Sequence, residues 1–156
     1  MYRVRRIGLL NLLALCKVCS ILYRCGKNMA EKNGLQHWNN SYLKTLAIVF
    51  LCALKNKIYL VYDGKRAIAT FQTKKTGDAL RFQKLATDPR YAGKGVGSFC
   101  LNEIESVAKA MGCARVCLEV YDKSAHAREF YEHRNYVVCG EVSTRKYTEL
   151  QMEKKL

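Results

Sequence analysis

The chain has 156 residues, a formal net charge of +14 and an apolar share of 49%. A single proline and this apolar share exclude a disordered or linker-rich protein, and the length suits one domain over residues 1–156 with a sizeable core. The charge is uneven, because residues 1–78 hold 14 Lys and Arg against 3 Asp and Glu, whereas residues 79–156 hold 13 against 10. A basic first half fits an anionic partner, and scattered solubility charge explains it equally well.

Eight cysteines raise the question of disulfides or a metal site. The two close spacings are Cys16-x-x-Cys19 and Cys113-x-x-x-Cys117, and neither is matched by a second C-x-x-C or C-x-x-H elsewhere. We therefore expect free, buried cysteines in a reduced cytoplasm and no metal.

The N-terminus imitates a signal peptide, since Arg3, Arg5 and Arg6 precede an apolar run over residues 7–15. No small-residue cleavage site follows, and the run is too short to span a bilayer. Polar residues recur on one helical face at Lys17, Ser20, Arg24 and Lys27. The pattern predicts an amphipathic core helix over about residues 8–29, with no membrane attachment.

The predicted elements of the first half are a strand over residues 2–6, the helix just described and a second helix over residues 42–54. Asn33-Gly34 ends the first helix, residues 36–40 form a loop, and Ser41 caps the second. The second helix places its apolar residues on one side: Leu43, Leu46, Ala47, Phe50 and Leu54. Strands follow over residues 57–62 and 66–75, joined at Asp63-Gly64, and then over residues 79–87. Three antiparallel strands in succession argue against a doubly wound dinucleotide fold.

In the second half, a helix begins within the glycine-rich stretch and ends at Gly112. A strand over residues 115–121 comes next, and Ser124 caps a helix that runs to about His133. Strands over residues 136–140 and 146–152 close the chain as a pair. No internal repeat or linker interrupts this order.

The glycine-rich stretch follows the strand that stops at Asp88-Pro89. Gly93, Gly95 and Gly97 let backbone N–H groups at the helix start close on a ligand, with Arg90 and Lys94 beside them. This arrangement indicates an anion cradle, most naturally for phosphates. The spacing matches neither a P-loop nor the G-x-G-x-x-G of dinucleotide folds, and a ligand-free turn is the alternative.

The order Arg90-x-x-Gly93-x-Gly95 resembles the acetyl-CoA-binding motif of the GNAT N-acetyltransferase superfamily, Q/R-x-x-G-x-G/A. Residues 124–136 resemble the family's N-x-x-A-x-x-x-Y-E-K-x-G-F stretch, with Ser124 in place of Asn and Asn135 in place of Gly. The element order β-α-α-β-β-β-α-β-α-β-β also resembles the GNAT fold over nearly the whole chain. The resemblance implies an α/β (α+β) domain with a mixed central sheet and helices on both faces.

By this resemblance the cofactor is acetyl-CoA, whose arm enters where the fourth and fifth strands splay apart. The pantetheine arm would pair with the backbone of strand four, and the pyrophosphate would lie on the N–H groups of the loop. The implied cofactor residues are Leu85, Ala86, Thr87, Arg90, Tyr91, Ala92, Gly93, Lys94, Gly95, Val96, Gly97, Ser98 and Ser124. Asn135 tolerates the left-handed conformation that the family's glycine provides, so we expect the turn to survive.

Tyr131 matches the family tyrosine that protonates the departing CoA thiolate, and an ordinary core tyrosine is its alternative. Glu119, a lone carboxylate between apolar neighbours, is the candidate base, and a solvent-facing glutamate is equally compatible with its strand. His37 and His126 are of the residue type that most often serves as a base near neutral pH, but loop and surface positions explain both. Gly34-Leu-Gln-His-Trp38 resembles a Gly/Trp loop of small GNAT proteins, so His37 and Trp38 are the acceptor-site candidates.

These observations predict an N-acetyltransferase that moves acetyl directly from acetyl-CoA to a small-molecule or peptide amine. The basic first half disfavours a cationic acceptor such as a polyamine and slightly favours an anionic or amphipathic one. The alternative is a non-catalytic acyl-CoA sensor or a basic nucleic-acid-binding module on the same scaffold. No aromatic-basic RNA motif is present, so we do not expect nucleic acid, and a homodimer stays open.

Overall fold

A computed structural model of the chain describes residues 1–36, 38–145 and 147–156. Two compact units are formed: the first comprises Met1–Lys74 and Lys84–Glu103, and the second comprises Lys75–Gln83 and Ile104–Leu156. The described helices are α1 (Leu12–Asn33), α2 (Tyr42–Lys55), α3 (Val96–Ala110) and α4 (Ala125–Glu132). The described strands are β1 (Tyr2–Ile7), β2 (Lys57–Asp63), β3 (Arg66–Thr76), β4 (Ala79–Thr87), β5 (Arg115–Tyr121), β6 (Val137–Ser143) and β7 (Thr148–Lys155).

The strands within the described residues form a mixed sheet in the order β1-β2-β3-β4-β5-β7-β6. In the first unit β1 pairs with β2 and β2 with β3, both antiparallel. In the second unit β4 is parallel to β5 over Ala79–Arg81, and β7 lies antiparallel between β5 and β6. This order confirms the mixed α/β fold that the sequence predicted.

The core of the first unit is built where α1 and α2 cover β2. One stripe of α1, including Leu15, Val18 and Ile21, is buried together with Val49 of α2 and Leu60 of β2. Each such side chain contributes about 1.5–3 kcal/mol when it is fully removed from water. The predicted amphipathic core helix is therefore confirmed, and no described helix is long and apolar enough to cross a membrane.

The start of α1 differs from the sequence prediction. The helix begins after Asn11, whose side chain accepts a hydrogen bond from the N–H of Ala14 at 3.0 Å. Asparagine is among the best N-caps, because its side chain satisfies an N–H that has no partner inside the helix. Residues 8–10 consequently lie outside the helix, and Leu10 and Leu13 are exposed to solvent.

The predicted apolar side of α2 is only partly correct. Leu46 packs against the core, but Leu43 and Leu54 are 77% and 66% exposed. Thr45 and Val49 are the buried positions instead. Because α2 is apolar around most of its circumference, periodicity alone does not determine which side faces α1. The cap prediction is confirmed, since Ser41 accepts from the N–H of Lys44 at 3.3 Å.

The second unit has an aromatic centre. The ring of Phe82 on β4 lies 5.9 Å from that of Tyr131 on α4 and 6.2 Å from that of Tyr136. Asn135, just before Tyr136, has a φ of 65°, which confirms the predicted left-handed turn. These ring contacts fix the position of α4 within the second unit.

All eight cysteines are free, but the prediction that they are buried is correct only for Cys19, Cys100 and Cys113. Cys16 and Cys139 are exposed, and the other three are partly buried. In the described part of the chain, no group of three or more His, Cys, Asp or Glu is placed to hold a metal ion.

Candidate functional site

The end of β4 is anchored by Asp88, whose carboxylate is fully buried. Its backbone N–H donates to the carbonyl of Ile68 at 2.8 Å. Its Oδ1 accepts from the backbone N–H and the Nε of Arg90 at 3.1 and 3.0 Å, and its Oδ2 accepts from Nη2 of Arg90 at 2.8 Å. Arg24 of α1 also donates to Oδ2, with its Nη2 at 2.8 Å.

This network keeps Asp88 charged. The hydrogen bonds from Arg90, assisted by the charge of Arg24, lower the pKa of Asp88 to about 2, although burial alone would raise it. A short 3₁₀ turn over Pro89–Tyr91 follows immediately, so the carboxylate fixes the first bend of the loop that leads into α3.

The glycines of that loop adopt conformations that other residues rarely take. Gly93 and Gly95 have φ values of 73° and 74°, and a Cβ placed on either would meet no atom within 4 Å. The first backbone bond of α3 runs from the N–H of Phe99 to the carbonyl of Gly95 at 3.0 Å. The N–H groups just before Phe99 therefore have no acceptor within the helix, and the first turn of α3 carries no acidic residue. Open space beside free N–H groups is what an anionic group requires.

The loop is also held from β1. The Tyr2 hydroxyl donates to the carbonyl of Lys94 at 3.1 Å, and the Tyr2 ring meets the Phe99 ring edge-on at 5.4 Å. These contacts fix the loop before any ligand arrives, which reduces the ordering that binding requires.

The predicted cofactor residues 85–87 and 90–98 all belong to the first unit. The predicted charges at the loop are only partly available to a ligand. Arg90 is engaged by Asp88, and Lys94 lies 4.9 Å from the centre of the Tyr91 ring. Lys84, which precedes these residues, has a φ of 52°, an uncommon conformation that breaks the regular course of β4.

Trp38 is also in the first unit, half-buried against the α1–α2 core. The Nζ of Lys84 lies 5.7 Å from the centre of its ring. A Cβ on Gly26 of α1 would collide with the carbonyl of Trp38, so the glycine permits this close approach. His37, the other acceptor-site candidate, lies outside the described residues.

Tyr131 and Ser124 belong to the second unit, at α4. Tyr131 is 9% exposed, and its ring lies between those of Phe82, Phe130 and Tyr136. Ser124 is buried at the N-cap of α4, but its side chain makes no capping hydrogen bond, so the predicted cap is wrong in that respect. His126 is on the exposed surface of the same helix.

Glu119 of β5 is exposed and paired rather than isolated among apolar neighbours. Its Oε1 accepts from Nη1 of Arg81 at 3.0 Å and from Nε2 of Gln151 at 3.4 Å. The Glu119 side chain is accessible to solvent, and its role as a base stays a prediction. Any proton that Glu119 accepts in a reaction would therefore be accepted next to the guanidinium group of Arg81.

Sequence reasoning missed two polar networks. One is the Arg24–Asp88–Arg90 triad, because Arg24 was assigned only to the polar face of α1. The other joins α3 to the end of the chain: the Tyr136 hydroxyl and Nζ of Lys154 both donate to Glu105, at 3.2 and 2.9 Å. Burial, followed by the charge of Glu105, strongly raises the pKa of Tyr136. Nothing in the sequence pairs residues so far apart in number.

The chain is similar in sequence to one protein family and in fold to several solved structures. Residues 28–136 match the model of the acetyltransferase (GNAT) family. PaiA N-acetyltransferase from Thermoplasma acidophilum, solved in complex with coenzyme A, is similar with a TM-score of 0.81 at 15% identity, over 100% of this chain and 99% of that one. The ribosomal-protein-S18-alanine N-acetyltransferase of Escherichia coli gives a TM-score of 0.75 at 18% identity, over 99% and 94% of the two chains.

Ard1 from Thermoplasma volcanium is similar as well, with a TM-score of 0.75 at 16% identity over 99% of this chain and 97% of that one. No curated protein matches the sequence. The family model covers more than half of the chain, and the protein therefore belongs to the GNAT acetyltransferase family.

Proposed function

We propose that the protein is an N-acetyltransferase that moves acetyl from acetyl-CoA to a primary amine by direct transfer. The observation that carries this proposal is the loop after β4, where Gly93 and Gly95 hold positive φ values next to the unpaired N–H groups of α3. Membership of the GNAT family supports the same reaction class. The thioester supplies an activated acetyl group when it is bound.

The loop residues 90–98 bind the pyrophosphate of the cofactor in this proposal. Their backbone N–H groups donate to phosphate oxygens, and the positive end of the α3 dipole adds about half an elementary charge. Asp88 acts by positioning: it holds Arg90 and the first bend, so that the N–H groups keep their directions. Leu85, Ala86 and Thr87 offer strand-like backbone groups to the pantetheine arm.

Tyr131 is the proposed general acid. Its hydroxyl donates a proton to the departing thiolate, and a placed acid of this kind is typically worth about 10²–10⁴ in rate. The ring contacts with Phe82 and Tyr136 restrict the rotamers of Tyr131, which keeps the hydroxyl in one position. Glu119 is the proposed acceptor of the proton that the amine loses, and Ser124 lies at the start of the same helix as Tyr131.

The acceptor is proposed to be a small-molecule or peptide amine, with Trp38 lining its site. The similar protein of Escherichia coli acts on an alanine of a ribosomal protein, which illustrates a peptide acceptor on this fold. For this chain an anionic or amphipathic amine fits best, because a cationic acceptor is repelled by a net charge of +14.

Calorimetric titration with acetyl-CoA at physiological salt tests the first step, and we expect saturable binding with one cofactor per chain. A panel of small and peptide amines, assayed for released thiol, then tests transfer. Binding without release of thiol by any amine favours the sensor alternative, and absence of binding contradicts the cofactor site. Steeply salt-dependent binding of nucleic acid without turnover favours the nucleic-acid alternative.

A further inference from the structure

The first unit contains a second concave site with a strongly basic lining. An open pocket of about 480 Å³ is formed by α1, the turn between β2 and β3, and the short 3₁₀ turn after Asp88. We call it the basic pocket, and its charged lining residues are Lys17, Arg24, Lys65, Arg66 and Arg90. Its volume is in the range of small-molecule sites, about 300–1,000 Å³.

The positive charge of the basic pocket is poorly compensated. Asp88 neutralises one charge of the pair formed by Arg24 and Arg90. Lys65 and Arg66 form no ion pair in the described part of the chain, and the Nζ of Lys17 lies 5.6 Å from the centre of the Tyr62 ring. Asp63 stands opposite Arg66 in the hairpin register, and no ion pair joins their side chains among the described residues. Positively charged side chains from three separate elements therefore line the basic pocket, and Asp88 is the buried carboxylate that partly neutralises them.

The positive charges that meet in the basic pocket repel each other, and a bound anion would offset this repulsion. Like charges brought together at the rim of a cavity repel each other, and low-dielectric walls strengthen their field. Three guanidinium groups and two ammonium groups line this pocket of about 480 Å³, and they match the oxygens of a phosphate group, which arginine binds in a fork geometry. Ser20 and Tyr91 also line the pocket. The Ser20 hydroxyl suits a polar group of an organic phosphate, and the Tyr91 ring suits a planar group.

We propose that the basic pocket binds a small phosphate-bearing anion, separately from the phosphates of coenzyme A. The proposal rests on the side chains of α1 and of the β2–β3 turn, whereas the cofactor proposal rests on the backbone N–H groups at the start of α3. Arg90 and Tyr91 are shared by the two proposed sites, whereas Lys65 and Arg66 belong to the basic pocket alone. Phosphate from coenzyme A and phosphate from a second molecule are distinguished by the experiment below.

The probe is inorganic pyrophosphate, titrated by calorimetry at constant ionic strength into the full chain saturated with coenzyme A. We expect saturable binding of one pyrophosphate per chain. Lys65→Ala/Arg66→Ala should weaken this binding by about tenfold or more, as expected for losing two charge-assisted contacts. The affinity for coenzyme A should stay unchanged, because neither residue is assigned to the cofactor loop.

Lys44→Ala/Lys74→Ala is the matched control. It removes the same charge from two exposed positions of the first unit that do not line the pocket. An equal loss of pyrophosphate binding in both double variants would show diffuse electrostatics and overturn the proposal. Binding to the free protein that disappears with coenzyme A present would assign the phosphate to the cofactor site and overturn it as well.

The cofactor proposal and the basic-pocket proposal fail separately. If coenzyme A does not bind, the cofactor proposal fails, but the titration of the free protein and of the two double variants still tests the basic pocket. If coenzyme A binds and pyrophosphate does not, only the basic pocket is contradicted.

Discussion

Asp88 and Arg90 form a closed ring of hydrogen bonds across two residues of the loop. The carboxylate accepts the backbone N–H of Arg90 at 3.1 Å and two guanidinium N–H groups at 3.0 and 2.8 Å. Because Asp88 accepts hydrogen bonds from both the backbone and the side chain of Arg90, it fixes the orientation of the backbone between these two residues. Because Arg24 donates to the same carboxylate, this ring also ties the loop to α1.

Asp88→Asn should destabilise the protein by about 2.5 kcal/mol, since the fold lowers the pKa of Asp88 from 3.8 to about 2 and each pH unit corresponds to about 1.4 kcal/mol. The amide retains the shape but not the charge that holds two guanidinium groups. Chemical denaturation measures the change in the free energy of unfolding. Asp78→Asn is the control: its exposed pair with Arg115 should contribute less than about 1 kcal/mol. Equal effects of the two changes would contradict the structural role of Asp88.

The same network predicts a dependence of stability on acid. The folded-state pKa of Asp88, about 2, is lower than the ordinary value of 3.8 for an aspartate, so the unfolded chain binds the proton more readily. The contribution of Asp88 is therefore complete above about pH 4 and is lost as the pH falls toward 2. The difference in unfolding free energy between wild type and Asp88→Asn, measured at constant salt from about pH 6 down to about pH 2, should shrink over that interval. A constant difference would assign the effect of the substitution to something other than charge.

The fold could be predicted from the sequence because its signals are local. The Asp63-Gly64 hairpin, the stop at Asp88-Pro89 and the glycine at position 112 each act within a few residues. The Arg24–Asp88 and Glu105–Lys154 pairs could not be predicted, since each depends on tertiary packing across 64 and 49 positions. The prediction of which side of α2 faces the core was partly wrong for a similar reason, because packing against α1 determines that side.

Gly95→Glu should abolish binding of acetyl-CoA. The substitution forces a φ of 74° on a residue with a side chain and places a negative charge where the pyrophosphate is proposed to lie. Gly77→Glu provides the control, because Gly77 has a φ of 59° in the turn between β3 and β4 and also has open space around it. Calorimetry should show wild-type affinity for the control and none for Gly95→Glu. Equal affinity in both variants would remove the glycine loop from the cofactor site.

Glu119→Gln should lower kcat by at least about tenfold near neutral pH, because the amide cannot accept the proton of the amine. Arg81→Gln separates this role from the ion pair, since it breaks the 3.0 Å contact but leaves the carboxylate. Turnover at several pH values is the measurement. If Glu119→Gln retains the wild-type rate and pH profile, Glu119 is a surface residue and the proton leaves by another route.

Tyr131→Phe should lower kcat by about 10² or more and leave the affinity for acetyl-CoA nearly unchanged, because only the hydroxyl is removed. The remaining ring keeps its contacts with Phe82 and Tyr136, so the fold of the second unit should persist. Tyr59→Phe is the matched control: Tyr59 is also 9% exposed and stacks on Phe71 at 4.8 Å in the first unit. Steady-state rates of thiol release, with cofactor affinity measured by calorimetry, distinguish the two variants. An unchanged rate in Tyr131→Phe would show that the thiolate takes its proton from water, and Tyr131 would then be a packing residue of α4.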